Sequence, residues 1–542
     1  MAADANNQQV VFLPEGSKRT RGRDAQRINI LIGKAVAQAV KSTLGPKGMD
    51  KMIVDELGDV TVSNDGATIL KEMSIEHPIG KMMVDVAKTQ ESEVGDGTTT
   101  SVIIAGGLLG KAENMLDEEI HPSIIIKGYR LASRKAVEIA KSISEKISFN
   151  DKDILKKIAI TSMTGKSSEA ATDLSSLVVE AVKIVAEHND GKIKVDKDSI
   201  KVEKKAGSSL EESKLIKGLL IDKEIVHGGM PKEIKNAKIA LIDSALEIKE
   251  TETDAKIQIT SPEQLQAFLD QEEAMLKKMV DKVKSAGATV VFCQKGIDDL
   301  AQHFMAKAGI AGVRRVKKSD MDKLSKATGA KIVTKIDALT AEDLGGAGKV
   351  REEKVGEDEM VYVEDCPNPK AVTILVRGSS EHLMAEAERA IDDAIGSVSS
   401  AIRDGQVVTG GGAFEVEIAM QLREFAKTVG GKEQLAIHAF ADVLEIVPKT
   451  LAETAGMNPL DTLVNLRAKH SEGGKNIGLN VFSAELEDMR KQNVIEPLSV
   501  KTRAIISGSE VAEMILRIDD IVAGQSRPMP SMPPGGMPPM DM

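Results

Sequence analysis

The hexapeptide Gly95-Asp-Gly-Thr-Thr-Thr100 runs directly into an apolar stretch containing Val102, Ile103, Leu108, Leu109 and Leu116. Small residues and hydroxyls at a helix start leave backbone N–H groups free, and such groups attract an anion. Asp96 adds a carboxylate that repels phosphate unless a divalent cation stands between them. Together these residues describe a Mg-nucleotide site. Taken alone, they describe an ordinary Asp or Thr N-cap ahead of an apolar helix at least as well.

Other glycines and carboxylates carry the same ambiguity. Thr164-Gly165-Lys166-Ser167 has the ending of a Walker A loop, but Ile160 stands where that motif needs its first glycine. Gly410-Gly411-Gly412 lets backbone approach a ligand closely, or is simply a turn. Asp65, in Asn64-Asp-Gly66, reads as a turn residue, and Asp393, beside Asp392, as part of a solvated helix face. Hydrolysis of a phosphoanhydride needs backbone donors for the phosphates, a metal, and a carboxylate to orient water. Glycine turns at 45, 95–97 and 410–412, with Asp65, Asp96 and Asp393, supply each type. Spacing alone does not show that they meet.

The elements that must position them follow from pattern. At 542 residues the chain is too long for one core, so two or three domains are expected. From 24 to 43, Ile28, Leu31, Ile32, Ala35 and Ala39 recur at helical spacing, and Gly45-Pro46 ends the helix. Thr61-Val62-Ser63 and Thr68-Ile69-Leu70 flank Asn64-Asp65-Gly66, which predicts a hairpin. The first part is otherwise mostly helical to about residue 147. Residues 150 to 217 mix helical periodicity with alternating strands near 193–195 and 200–202. Short apolar runs at 219–221, 239–242 and 290–292 then predict buried strands between helices. Residues 247–258 are charged and alternating, and from Pro262 a helix carries Leu265, Phe268, Leu269, Met275, Leu276, Met279 and Val283 on one face. This predicts either a protrusion with an apolar edge or a helix packed into its own domain. After a strand at 372–376 and a long helix from 381 to 402, the chain returns to helical texture. Domains inserted into a helical one explain that return. The tail from Ser526 is rich in Pro, Gly and Met and is expected to be disordered.

Composition narrows the function. Asp plus Glu number 83 against 72 Lys plus Arg, a net charge of -11, which argues against a nucleic-acid partner. With no Trp and two Tyr, platforms for base stacking are scarce. The 24 Met suit cores or surfaces that adapt to varied shapes. Cys293 and Cys366 are too few for a disulfide framework or a Cys-based metal site, which fits a reducing cytoplasm. Neither a signal core nor a membrane span is expected.

Four motifs in order, Lys41-Ser-Thr-Leu-Gly-Pro-Lys-Gly-Met-Asp-Lys-Met52, Asn64-Asp-Gly66, Gly95-Asp-Gly-Thr-Thr-Thr100 and Thr409-Gly-Gly-Gly412, resemble the group II chaperonins. The likeness runs from about residue 10 to about 525 and is strongest to the archaeal thermosome type. It implies an ATP-dependent folding chamber: two stacked rings, of eight or else nine subunits each and of one or several subunit types, that bind unfolded polypeptides and close over them with a built-in lid and no separate lid protein. The implied fold is multidomain. A mainly α-helical equatorial domain comprises 1–149 and 404–525, and a small α/β intermediate domain comprises 150–217 and 370–403. An α/β apical domain at 218–369 bears a helical protrusion at about 245–280, and 526–542 form the tail.

The resemblance also assigns roles. Thr43, Leu44, Gly45, Pro46 and Gly95, Asp96, Gly97, Thr98, Thr99, Thr100 match the phosphate loops for ATP or ADP, with Asp96 on Mg²⁺. Asp65 and Asp393 match the carboxylates that orient the attacking water, Asp393 being delivered by the intermediate domain. Gly165 and Lys166 match the sensor of the terminal phosphate. Gly411, Gly412, Asn480, Val481, Phe482 and Glu496 match the adenosine pocket. No hydrolytic position departs from the pattern. A small-molecule kinase or ligase would share the nucleotide signals but needs a second polar pocket, and His227 and His303 in the insert stand alone. A scaffold holding nucleotide without turnover is a third reading.

Overall fold

The computed structural model describes residues 18–55, 58–165, 171–189, 192–207, 209–248, 261–356, 358–367 and 369–523. Three large apolar cores organise them. The first is helical and draws on both ends of the chain, from Ile30 to Ala140 and from Val408 to Leu516. Its central helix, Thr98–Asp117, is buried along almost every face and packs against Gly22–Lys41 and Leu498–Leu516. A helix apolar all round belongs at the centre of a bundle. The outer helices Gly22–Lys41 and Pro122–Ile143 carry a single apolar stripe instead. Strand Lys18–Arg21 pairs antiparallel with Asp520–Ala523, so the two ends of the described chain meet.

The second core joins helices Lys152–Met163 and Ala171–Val185 to the long helix Glu381–Asp404 over a three-stranded sheet. In that sheet Val372–Gly378 lies between Ile200–Ala206, parallel, and Lys214–Ile216, antiparallel. The third core spans Leu219 to Ala371 around a seven-stranded mixed sheet. The apolar runs expected as buried strands are there: Gly218–Ile221 and Val290–Cys293 are buried throughout, and Glu233–Ile242 is buried at its last four residues. The architecture is multidomain, mainly helical toward both ends of the described chain and α/β between.

Two expectations meet the structure differently. Asn64-Asp65-Gly66 is not a hairpin turn. The hairpin is Lys51–Val54 with Val60–Ser63, and Asp65 instead N-caps the helix Gly66–Glu72, accepting a hydrogen bond from Thr68 N at 2.8 Å. An aspartate that can fold back onto backbone N–H serves a turn and a helix start equally, and Ala67, Ile69 and Leu70, all buried, decide for the helix. The helix expected from Pro262 is Pro262–Ala286, capped by Ser261. Its second half packs through Leu276, Val280 and Val283, whereas Leu265, Phe268 and Leu269 in its first half are exposed. Most of the charged segment before it, 249–260, lies outside the described residues, as do the tail and Lys166.

Candidate nucleotide site

The helix Thr98–Asp117 begins without a side-chain cap. Its N-cap is Gly97, at φ 79° and ψ 16°, left-handed backbone that favours glycine. The ordinary-cap reading of the hexapeptide fails here, because neither Asp96 nor a threonine closes the helix end. Asp96 Oδ1 instead accepts from Gly97 N at 2.6 Å, and its own carbonyl is held by Gln90 Nε2 at 2.8 Å. The first-turn residues Thr98, Thr99 and Thr100 face a cavity of about 620 Å³. A second helix, Ala413–Ala426, begins on the same cavity with Gly412 as its N-cap and again no side-chain cap. Two positive helix ends directed at one space form an anion site.

The cavity collects residues from stretches far apart in the chain. Thr43, Leu44, Gly45 and Pro46 line it beside Asp65, Asp96 and Gly97 to Thr100. Gly411, Gly412, Asn480, Val481, Phe482 and Glu496 complete the wall. The Asp65 carboxylate is held from two sides, by Thr68 N and by the Thr98 hydroxyl at 3.3 Å, so its position is tied to the glycine loop. Asn480 Oδ1 accepts from Phe482 N at 3.0 Å, which fixes the turn that presents Phe482, 64% exposed, at the rim. Gly165 is not on the cavity wall. Its carbonyl accepts from Asn64 Nδ2 at 3.3 Å, next to Asp65.

Gly95 and Asp393 also stand off the wall, and one contact relates them. A Cβ built on Gly95 would sit 2.5 Å from Gly396 Cα in the helix Glu381–Asp404. On that helix Arg389, Asp393 and Gly396 share a face by their i, i+4, i+7 spacing. Arg389 Nη2 reaches the Val62 carbonyl at 3.4 Å, three residues before Asp65, and Gly396 abuts Gly95, one residue before Asp96. Asp393, buried, lies between those two contacts along the helix. Its face is turned to both loops.

Sequence reasoning missed several lining residues: Asn64, Lys157, Thr161, Ser162, Asn493 and Lys501. Lys157 and Thr161 lie one turn apart on the helix Lys152–Met163, and polar residues at that spacing carry no signal that sets them apart from a solvated face. Among the described residues no group of three His, Cys, Asp or Glu side chains could hold a metal alone. Asp96 brings one carboxylate to the cavity wall beside the helix start at Thr98, a donor of the oxygen type that hard divalent cations take. Cys293 and Cys366 are both free and buried.

Residues 36–526 match the TCP-1/cpn60 chaperonin family. The chain belongs to that family. A thermosome subunit of Methanopyrus kandleri is 61% identical over 521 residues, covering 96% of this chain and 96% of that one. Thermosome subunit beta of Archaeoglobus fulgidus is 58% identical over 541 residues, covering 99% of both. Among solved structures, the open state monomer of a group II chaperonin from Methanococcoides burtonii matches with a TM-score of 0.61 and 46% identity, over 78% of this chain and all of that one. The resemblance carried by the four motifs is thereby established, and this chain is a group II chaperonin subunit. Residues 43–46, 96–100, 411 and 412 of its glycine-bearing loops line one cavity. Among the described residues no helix of this chaperonin is long and apolar enough to cross a membrane.

Proposed function

We propose that this chaperonin subunit hydrolyses ATP in the 620 Å³ cavity and uses the turnover to close a ring over unfolded polypeptides. The observation that carries the reading is the convergence of two uncapped helix starts, Thr98–Asp117 and Ala413–Ala426, on a space that also holds Asp65 and Asp96. Backbone N–H groups of 98–100 bind the phosphates, with Gly411 and Gly412 on the nucleoside side. Asp96 holds the divalent cation, which when bound offsets phosphate charge. Asp65, oriented by Thr68 N and Thr98 Oγ1, accepts a hydrogen bond from the attacking water. Asp393 adds the second acceptor when its helix seats on the loops through Gly396 and Arg389. Asn480, Val481, Phe482 and Glu496 contain the nucleoside. Lys166 and Gly165 read the terminal phosphate.

The three cores correspond in this reading to equatorial, intermediate and apical domains, with boundaries near 149, 217, 369 and 403. The helix Glu381–Asp404 then links the hydrolytic loops to the α/β insert. The exposed apolar half of Pro262–Ala286 supports a lid or client-gripping edge, since burying such surface is favourable by roughly 25 cal/mol per Å². The hairpin Lys51–Val54 and Val60–Ser63 exposes Met52, Val54 and Val60, which supports pairing with a neighbouring subunit. Two stacked rings of eight, of one or more subunit types, working in the cytoplasm without a separate lid protein, complete the proposal.

Negative-stain images of the purified protein with and without ATP test it, together with aggregation of an unfolded client. Stacked rings that shut on nucleotide and suppress aggregation are the expected result. A soluble monomer that phosphorylates or ligates a small molecule and leaves aggregation untouched would refute it.

A further inference from the structure

A second cavity, of about 190 Å³, lies where the first and second cores meet and takes no part in the hydrolysis proposed above. Its floor is apolar and buried, with Val408 and Phe414 from the first core and Val407 and Ile495 from the second. The strand Gln406–Thr409 runs along it, paired antiparallel with Glu145–Lys146 and with Ile495–Pro497. The two passages of chain between these cores, near 146 and 406, therefore lie side by side at this cavity.

The rim is polar: Lys475, Asn476, Arg490 and Glu145 line it. Glu145 Oε2 takes Arg490 Nε at 2.9 Å, which leaves both Nη groups of that guanidinium without a partner among the described residues. Lys475 makes no ion pair among them either. By contrast Lys501, on the wall of the larger cavity, lies 2.9 Å from Glu415 Oε1 and 2.9 Å from Glu496 Oε1. Asn476 Oδ1 accepts from Thr409 Oγ1 at 3.0 Å, so its Nδ2 is left to donate. The rim is also held in place. The Asn476 carbonyl accepts from Met489 N at 2.9 Å, next to Arg490, and the Ile477 carbonyl lies 2.8 Å from Nε2 of the fully buried ring of His470.

Two cations against one carboxylate leave a single positive charge over an apolar floor. That combination suits a monoanion with an apolar body. A carboxylate offers two acceptor oxygens, enough to meet an ammonium and a guanidinium edge at once. An inorganic phosphate carries more charge than the rim supplies and has nothing to place on the floor. An apolar cavity of about 150 Å³ holds a benzene ring, so 190 Å³ accommodates one ring with its carboxylate. We propose that this cavity binds a small monocarboxylate with an apolar body of ring size, its oxygens on Lys475, Arg490 and Asn476 and its body on Val407, Val408 and Phe414. The site is separate from the nucleotide cavity and does not depend on how that cavity is read.

The test uses assembled full-length protein without nucleotide, with para-fluorobenzoate as the probe and fluorine NMR line broadening as the readout. Wild type should broaden the line saturably, and unlabelled benzoate should compete the broadening away. Para-fluorobenzyl alcohol, which has the body without the charge, should bind about tenfold more weakly or worse. Lys475→Gln, a change at an exposed position, should raise the Kd for the probe about tenfold, and Lys475→Arg should return it to within about threefold of wild type. Wild type without saturable broadening overturns the proposal. So does a Lys475→Gln protein that binds the probe as wild type does, which would place the probe on exposed apolar surface such as Leu265 and Phe268. Equal binding of the alcohol and the carboxylate overturns it as well.

Discussion

Gly396→Ala places one methyl group between the two bodies that must meet for hydrolysis. Gly396 is in mid-helix, where alanine is intrinsically better than glycine by about 1 kcal/mol, so the local helix gains. A Cβ there, however, would stand 2.5 Å from Gly95 Cα, 3.0 Å from the Val94 carbonyl and 3.1 Å from Gly95 N. Carbon atoms pack at about 3.5 Å or more, so helix and loop must part by about 1 Å. Both sides of the contact are backbone, and no flexible side chain can yield. Asp393, one turn earlier on the same face, moves with the helix. A misplacement of about 1 Å costs on the order of 100-fold in rate, close to 2.7 kcal/mol of barrier. The cavity wall itself is untouched, so nucleotide affinity should stay within about threefold of wild type by the same uniform-binding logic. Phosphate release under saturating ATP gives kcat, and equilibrium dialysis gives affinity. Gly95→Ala is the companion: it brings the same clash plus a φ of 82°, and should lose about 1 kcal/mol more stability. A Gly396→Ala protein that turns over at the wild-type rate would show that this seat does not deliver Asp393.

Asp393→Ala should abolish turnover while binding is kept, and a rate near wild type removes the residue from the hydrolytic set; Asp96→Ala should also lose the Mg²⁺ dependence of binding, read by titration with and without chelator. Met52→Lys puts a charge on the exposed apolar hairpin and should shift rings toward monomers in sedimentation velocity, whereas intact rings would acquit the hairpin. Glu445 is fully buried and held by Arg423 at 2.8 Å and Arg467 at 2.7 Å. Burial alone would raise its carboxyl, but the two guanidiniums outweigh it and hold its pKa below the usual carboxylate range. The stability it contributes is therefore complete above its unfolded value of about 4.3 and is lost as pH falls through the lower folded value. Glu445→Gln should cost about 3 kcal/mol at pH 7 and flatten the acid side of the denaturation profile, and an unchanged acid limb would place the sensitivity elsewhere.

What the sequence revealed, and what it hid, follows from what periodicity can encode. The strands at 218–221 and 290–293 were legible because β-rich runs buried on both faces leave no polar alternation to misread. The helix Pro262–Ala286 was legible as a helix but not as a partner, since Leu265 and Leu269 repeat at the same spacing as Leu276 and Val280 while only the latter are covered. An apolar stripe records that burial is favourable, not whether anything is there to do the burying. The nucleotide loops were legible as unusual chemistry: glycines and a carboxylate at a helix start. Their convergence was not, because Asp65, Asp96, Gly412 and Glu496 reach one cavity only through the packing of elements far apart in the chain. Lys501, Glu415 and Glu496 show the limit most sharply. Glu496 was singled out only through the family resemblance and Lys501 and Glu415 not at all, although Glu415 follows Phe414 and precedes Val416 in a helix that is buried along most of its length. Only a charge that has found opposite charges across 86 residues of chain can be kept there. A polar residue inside an apolar helix face is thus the one signal that pointed to this cluster, and it points to a partner without saying where in the chain that partner lies.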